Sequence, residues 1–165
     1  PVPEGEPGLL RIRGGSTALC YWADRQSSSE TFQGDWCTTA DIFRRDAEDR
    51  FWYEGRADDL LKVSGIWCSP LEIEEVLRGH DSVQDVCIVP GKDAAGLTKP
   101  LAFVVPSSGV EGGDALAADL KSYIKARLAP HKYPRWFEWR TELPRNDRDK
   151  VARRILEGEA TKLEL

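Results

Sequence analysis

The run Gly55-Arg56-Ala57-Asp58-Asp59-Leu60-Leu61-Lys62-Val63-Ser64-Gly65 divides this chain into two unlike parts. Within it stand two cations, two adjacent carboxylates and two glycines, more charge and backbone freedom than a plain connection needs. Upstream the elements are short and strand-like. Gly5 to Gly15 reads as a turn and an alternating strand, and Ser27-Ser28-Ser29-Glu30 as a helix cap or a loop. Gly34 to Phe43 and Phe51 to Tyr53 read as strands around the charged turn 44–50. Phe51-Trp52-Tyr53 fits sheet packing most simply.

Downstream the periods lengthen. Ser69-Pro70-Leu71-Glu72 is a capping box with proline at the first helical position. Ile73, Val76 and Leu77 then fall on one face, and Gly79 stops the helix. Val83 to Val89 and Leu101 to Val105 predict two strands, punctuated by Pro90-Gly91-Lys92-Asp93 and Pro106-Ser107-Ser108-Gly109. Gly112-Gly113-Asp114 opens the longest helix, with Leu116, Leu120, Ile124 and Leu128 as its apolar face and Tyr123 beside it. Tyr133 to Trp139 predicts another strand. The loop from Pro144 to Asp149 leads into a final helix holding Val151, Ile155 and Leu156. Alternation this loose predicts an α+β fold, a short and mostly antiparallel sheet flanked by helices. The boundary is expected at residue 58, giving parts 1–57 and 58–165.

Composition narrows the class. A chain of 165 residues, 41% hydrophobic and 31% charged, holds enough apolar material for a core. No apolar run approaches the ~20 residues that span a bilayer, so no membrane partner is expected. Pro1 to Glu6 has neither the basic nor the apolar region of a signal peptide. Cys20, Cys37, Cys68 and Cys87 include no Cys-x-x-Cys and meet only two histidines, so no metal site is expected. Reduced, mostly buried thiols of a cytoplasmic protein are expected instead. A pI of 5.2 speaks against nucleic acid. The net charge of −5 is uneven: residues from 121 on carry 12 Lys and Arg against 7 Asp and Glu. That basic end is either a solvated surface or a face for a phosphorylated ligand.

Chemistry-bearing motifs are sparse. Neither a Walker loop, a Gly-x-Gly-x-x-Gly nor a Gly-x-Ser-x-Gly elbow occurs. His80 and His131 have no motif around them and read as turn or surface residues. Asp41 can be a turn aspartate, or a strand-end carboxylate accepting both hydroxyls of a ribose. Lys150 can be a solvated lysine, or a point charge delivered by a loop to a phosphate.

Several motifs in order change that balance: Thr39-Ala40-Asp41, Gly55-Arg56-Ala57-Asp58-Asp59, Ser64-Gly65 through Pro70-Leu71-Glu72-Ile73-Glu74, and Leu143-Pro144-Arg145 through Lys150. Together they resemble the C-terminal part of the acyl-adenylate-forming superfamily, which includes acyl-CoA synthetases, adenylation domains and luciferases. Leu61 to Ile66, Gly96-Leu97-Thr98-Lys99-Pro100 and Ala129 to Trp136 resemble benzoate or aryl acid–CoA ligases more nearly still.

The resemblance implies a two-step reaction on a small carboxylic acid, ATP and coenzyme A, releasing AMP and pyrophosphate. It implies ribose binding by Asp41, nucleotide contact by Arg56 and a hinge at Asp58. Ser64, Gly65 and Trp67 would line the coenzyme A channel. Lys150 would bridge substrate carboxylate and α-phosphate during adenylation. Residues 1–57 would be the last strands of a larger N-terminal domain, the partner that holds most of the acid, ATP and Mg2+ sites. The chain alone would then be an inactive fragment. Two departures stand out. Asp149 replaces the glycine usual before the lysine, where it can pair with Lys150, repel ATP phosphate or cap the final helix. Ala40 also replaces a glycine. Alternatives are transfer to a carrier-protein thiol, and a non-catalytic binding module of the same fold.

Overall fold

Ten mostly half-buried residues, Trp36–Arg45, form the longest strand of the first part and organise everything around it. In the computed structural model, which describes residues 2–163, the chain forms two compact units meeting between Asp59 and Leu60. In the first unit β1 (Pro7–Ile12) is followed by helix α1 (Arg25–Thr31), β2 (Phe32–Gln33), β3 (Trp36–Arg45) and β4 (Phe51–Arg56). Strands β1, β2 and β4 each pair antiparallel with β3. A 3₁₀ turn, Ala57–Asp59, closes the unit. Ser27, Ser28 and Ser29 lie inside α1, whose N-cap is Asp24, accepting from the Ser27 amide at 3.0 Å.

Ile42 is the one buried large apolar residue among the described residues of this unit. The triplet Phe51-Trp52-Tyr53 departs from simple sheet packing, because all three side chains are about half exposed. Tyr53 tilts against Phe43, and Trp52 donates its indole N–H to Asp46 at 2.7 Å. Phe51 and Tyr53 share one face of this small sheet and Trp52 lies on the other, so neither face is fully covered within the unit.

The second unit builds a proper core. A two-strand hairpin, β5 (Leu61–Val63) and β6 (Ile66–Cys68), leads into helix α2 (Pro70–Arg78). The N-cap forms as read, with Ser69 accepting from the Glu72 amide, Pro70 in the first helical position and Gly79 as the C-cap, while the Glu72 carboxylate takes Lys132 as its partner. Then come β7 (Val83–Lys92), β8 (Thr98–Pro106), α3 (Asp114–Lys125), β9 (Trp136–Trp139) and α4 (Arg153–Ala160). The sheet order is β7-β8-β9, with β7–β8 antiparallel and β8–β9 parallel.

Val86 to Val89 and Pro100 to Val105 are buried without a break, because both faces of the sheet are covered. Val86, Ile88, Ala102 and Val104 face a core made with Ile73, Leu77, Leu120 and Ile124 of α2 and α3. Cys87, Val89, Leu101 and Phe103 face a second core with Leu143, Leu156 and Ala160. This is the α+β arrangement that the order of elements predicts.

Several boundaries move. Pro90-Gly91-Lys92 does not end β7, since the ladder runs on through Pro90↔Pro100 to Lys92↔Thr98. An edge strand tolerates proline, whose missing N–H would otherwise point outward. Leu128 lies past the end of α3 yet still packs on the core. Val151 sits in an isolated bridge to Arg145 before α4 begins. Ile155 is 53% exposed, so Leu156 alone of the predicted apolar set enters the core from within α4. All four cysteines are free: Cys68 and Cys87 are buried, Cys37 half-buried and Cys20 exposed. No helix among the described residues is long and apolar enough to cross a membrane.

Candidate functional site

The sequence-predicted residues gather in three places, one in the first unit and two in the second. In the first unit the register places Asp41 of β3 opposite Arg56 of β4. The Arg56 guanidinium lies 3.6 Å from Asp41 and 3.5 Å from Asp58, bridging both carboxylates loosely. Thr39 steadies the strand: its hydroxyl donates to the Leu10 carbonyl at 3.0 Å and accepts from the Asp41 amide at 3.2 Å. Asp41, Arg56 and Asp58 share the wall of an open groove with Thr39, Tyr21 and Trp22. Half-exposed carboxylates and a half-exposed guanidinium along a groove are suited to a ligand with hydroxyls and phosphates. Trp22, 97% exposed beside it, was not singled out by any motif.

In the second unit Ser64 and Gly65 form the two-residue turn of the β5–β6 hairpin, with φ of 52° and 85°. Both angles are left-handed, as a primed turn requires, and this is what glycine supplies at position 65. Nothing lies within 4 Å of where a Gly65 Cβ would project, so this tip presents bare backbone to its surroundings. Trp67 stands 60% exposed, with Lys62, its cross-strand neighbour, 5.6 Å above the ring. Lys99 donates to the Ser64 hydroxyl at 3.1 Å, tying the hairpin to the start of β8.

Lys150 lies on the third element, the loop between β9 and α4. Asn146 closes that loop on itself. Its side-chain oxygen accepts from the Arg148 and Lys150 amides, and its own amide donates to the Lys150 carbonyl at 2.8 Å. Asp149 has φ of 59°, a left-handed conformation in which glycine is unstrained and aspartate tolerated. Two of its expected roles are corrected. The N-cap of α4 is Ala152 without a side-chain hydrogen bond, so Asp149 does not cap that helix. The Asp149 carboxylate lies 3.8 Å from Arg145, and no ion pair joins it to Lys150 among the described residues.

The Lys150 loop and the Ser64-Gly65 turn stand apart. Arg145, at the root of the loop, pairs with Asp85 near the start of β7. Lys99, which holds the turn, pairs in register with Gly91 near the end of β7. Six residues of extended strand separate these anchors, roughly 20 Å. His80 is structural: it accepts from the Ser82 amide, faces Asp119 and stacks edge-on against Tyr123. The two buried thiols are quiet, since burial pushes Cys68 up to about 11 and Cys87 up to about 12.

Comparison with known proteins identifies the second unit. Residues 72–150 match the family described as the AMP-binding enzyme C-terminal domain. The benzoate–CoA ligase of Thauera aromatica is 42% identical over 149 residues, covering 90% of this chain and 28% of the relative. The 4-hydroxybenzoate–CoA/benzoate–CoA ligase of Rhodopseudomonas palustris is 42% identical over 156 residues, covering 94% of this chain and 29% of the relative. The crystal structure of the anthranilate CoA ligase AuaEII in complex with anthranoyl-AMP superimposes with a TM-score of 0.89. It is 38% identical, over 96% of this chain and 31% of that one. A benzoate CoA ligase structure from Burkholderia xenovorans gives 0.85 at 41% identity, over 94% and 31% of the two chains. The chain thus spans under a third of the length of the relatives it matches.

Proposed function

Because residues 72–150 belong to the AMP-binding enzyme C-terminal domain family, we propose that this chain serves as the C-terminal part of an aryl acid–CoA ligase. The ligase would join a carboxylic acid to coenzyme A at the expense of ATP. First a carboxylate oxygen attacks the α-phosphorus, giving acyl-AMP and releasing pyrophosphate. Then the coenzyme A sulfur, having given up its proton, attacks the acyl carbon and AMP leaves. The names of the relatives, benzoate and hydroxybenzoate CoA ligases, support an aryl acid as substrate.

The observation that carries this reading is the separation within the second unit. The Lys150 loop and the Ser64-Gly65-Trp67 hairpin are held at opposite ends of the β7–β8 ladder. On this reading an acyl-AMP would meet one of them at a time. Lys150 would serve adenylation, offsetting charge at the α-phosphate and orienting the carboxylate. The hairpin would serve thioester formation, its bare backbone at Gly65 and the Trp67 face lining the coenzyme A thiol's approach. Asp41 and Arg56 would hold ribose and nucleotide. Asp58, in the last turn of the first unit, would be the pivot by which the two ends exchange.

The first unit, read as the end of a larger N-terminal domain, would rejoin that domain through the half-exposed aromatics of β4. Without it the chain would be inactive, lacking the acid pocket and most of the ATP site. Among the described residues no group of three or more His, Cys, Asp or Glu side chains is placed to hold a metal ion. Mg2+ would enter with ATP on the N-terminal side, and no step is derived through it. The free thiols fit the reducing cytoplasm proposed for the enzyme.

The half-reactions test the assignment. In the intact ligase, Lys150→Ala is expected to lower acyl-AMP formation by about 10²–10³-fold, the usual cost of one lost charge-stabilising donor. Thioester formation from supplied acyl-AMP should change by no more than a few-fold. Equal loss in both steps would remove Lys150 from the adenylation role. Transfer to a carrier-protein thiol in preference to coenzyme A would reassign the acceptor.

A further inference from the structure

Glu74 is the most buried charged side chain among the described residues, 3% exposed, on the face of α2 that carries Ile73 and Leu77. An acidic residue there is costly unless it is fully paired. Its partners are all donors. The Ile88 amide and the Arg153 guanidinium each reach one of its oxygens at 2.8 Å, and Arg78 approaches the other at 3.4 Å. Arg153 also donates to the Ile88 carbonyl, and Arg78 to the Val86 carbonyl at 3.0 Å. Strand β7 is an edge, so Ile88 and Val86 present backbone groups with no neighbouring strand. Glu74, Arg153 and Arg78 satisfy those groups as a missing strand would.

The same charges continue along the edge. Arg78 lies 3.8 Å from one oxygen of Asp85, and Arg145 donates to the other at 2.7 Å. Arg145 in turn donates to the Asp149 carbonyl at 2.8 Å. The alternating series Arg153, Glu74, Arg78, Asp85, Arg145 therefore starts just after Lys150 and returns just before it. Both roots of the Lys150 loop are fastened to one strand edge, and to each other.

We infer that Glu74 and Asp85 are positioning residues that clamp the Lys150 loop in the conformation it needs for adenylation, a role that rests on the assignment of Lys150 above. Neither carboxylate touches substrate. Glu74 acts through Arg153, Asp85 through Arg145, and Arg78 couples the two. The geometry also explains why an acidic residue occupies a core-facing helical position that leucine or methionine would fill at less cost.

Glu74→Gln keeps the side chain's size but turns two hydrogen-bond donors toward a pocket already full of donors. Asp85→Asn does the same at a partly exposed position and is the variant that keeps the fold if the first does not. In the 165-residue chain, amide hydrogen exchange at Asp149 and Lys150 is expected to quicken at least 10-fold over wild type in either variant. Exchange at Leu101 to Val104 should rise far less. Leu120→Ala, in the core under α3, is the control for general loss of stability. In the intact ligase the same two variants should lower acyl-AMP formation at least 10-fold and leave thioester formation from supplied acyl-AMP within about twofold. Loop exchange rising only in step with the β8 amides, or both half-reactions falling together, would overturn the clamp. Should Lys150→Ala leave adenylation intact, the assignment of Lys150 fails, and the exchange measurements still decide whether the loop is clamped.

Discussion

Single positions carry weight here that their residue types do not announce. Gly112 reads as a helix opener, yet its structural reason is Trp139, whose ring atoms would lie 2.5 Å from an added Cβ. Gly112→Ala should therefore cost about 1–3 kcal/mol, the usual penalty of overpacking, read as a lower midpoint in chemical denaturation. Asp149 is the opposite case, a residue that departs from the family's glycine and still adopts glycine's backbone angle. Asp149→Gly should leave stability within about 1 kcal/mol, because the change removes left-handed strain and one exposed ion pair of small worth. If its carboxylate opposes ATP, the same variant lowers the KM for ATP in the intact ligase. An unchanged KM would mean that the carboxylate lies clear of the phosphates. Lys150 was singled out by motif order alone, as a proposed site residue. Glu74 and Asp85 were not, since a glutamate on a helix and an aspartate in a strand are ordinary letters until their partners are known.

At the scale of elements, the patterns that repeat over a few residues were read correctly and those that depend on neighbours were not. The Ser69 N-cap of α2 and the Leu116, Leu120 and Ile124 stripe of α3 are short-range devices, and both formed where predicted. Strand β7 was ended too early at Pro90, because the rule that proline breaks a strand lapses on an edge. The aromatic triplet of β4 was assigned to packing, but its sheet has no second layer within the unit. Cys68 and Cys87 show what burial in adjacent elements does to a chemical group. With their thiols pushed up to about 11 and about 12, they should resist iodoacetamide at pH 8, while exposed Cys20 is alkylated quickly. Peptide mapping by mass spectrometry checks this, and rapid labelling of Cys87 in the folded protein would contradict it. The sign of the accompanying stability change follows. Folding raises both pKa values, so the neutral thiols favour the folded state below the ordinary value of 9.0. That advantage is lost as pH climbs from about 9 toward 12, and the denaturation midpoint of the second unit should fall over that range.

For the molecule as a whole, the two units divide the labour of folding unequally. The second has two apolar cores on the two faces of one sheet, whereas the first buries Ile42 and leaves its aromatics half exposed. Local letters were enough to settle the class of fold, and ordered motifs the family of its second part. Helical period, capping and turn chemistry act over three to five residues and need no knowledge of the rest. The tertiary structure alone set which residues meet. Arg145 finds Asp85 across 60 residues and Arg153 finds Glu74 across 79, and only the closed sheet brings those carboxylates to one edge. Pairings at that distance are set by loop closure and the packing of whole elements, which leave no periodic trace in the chain.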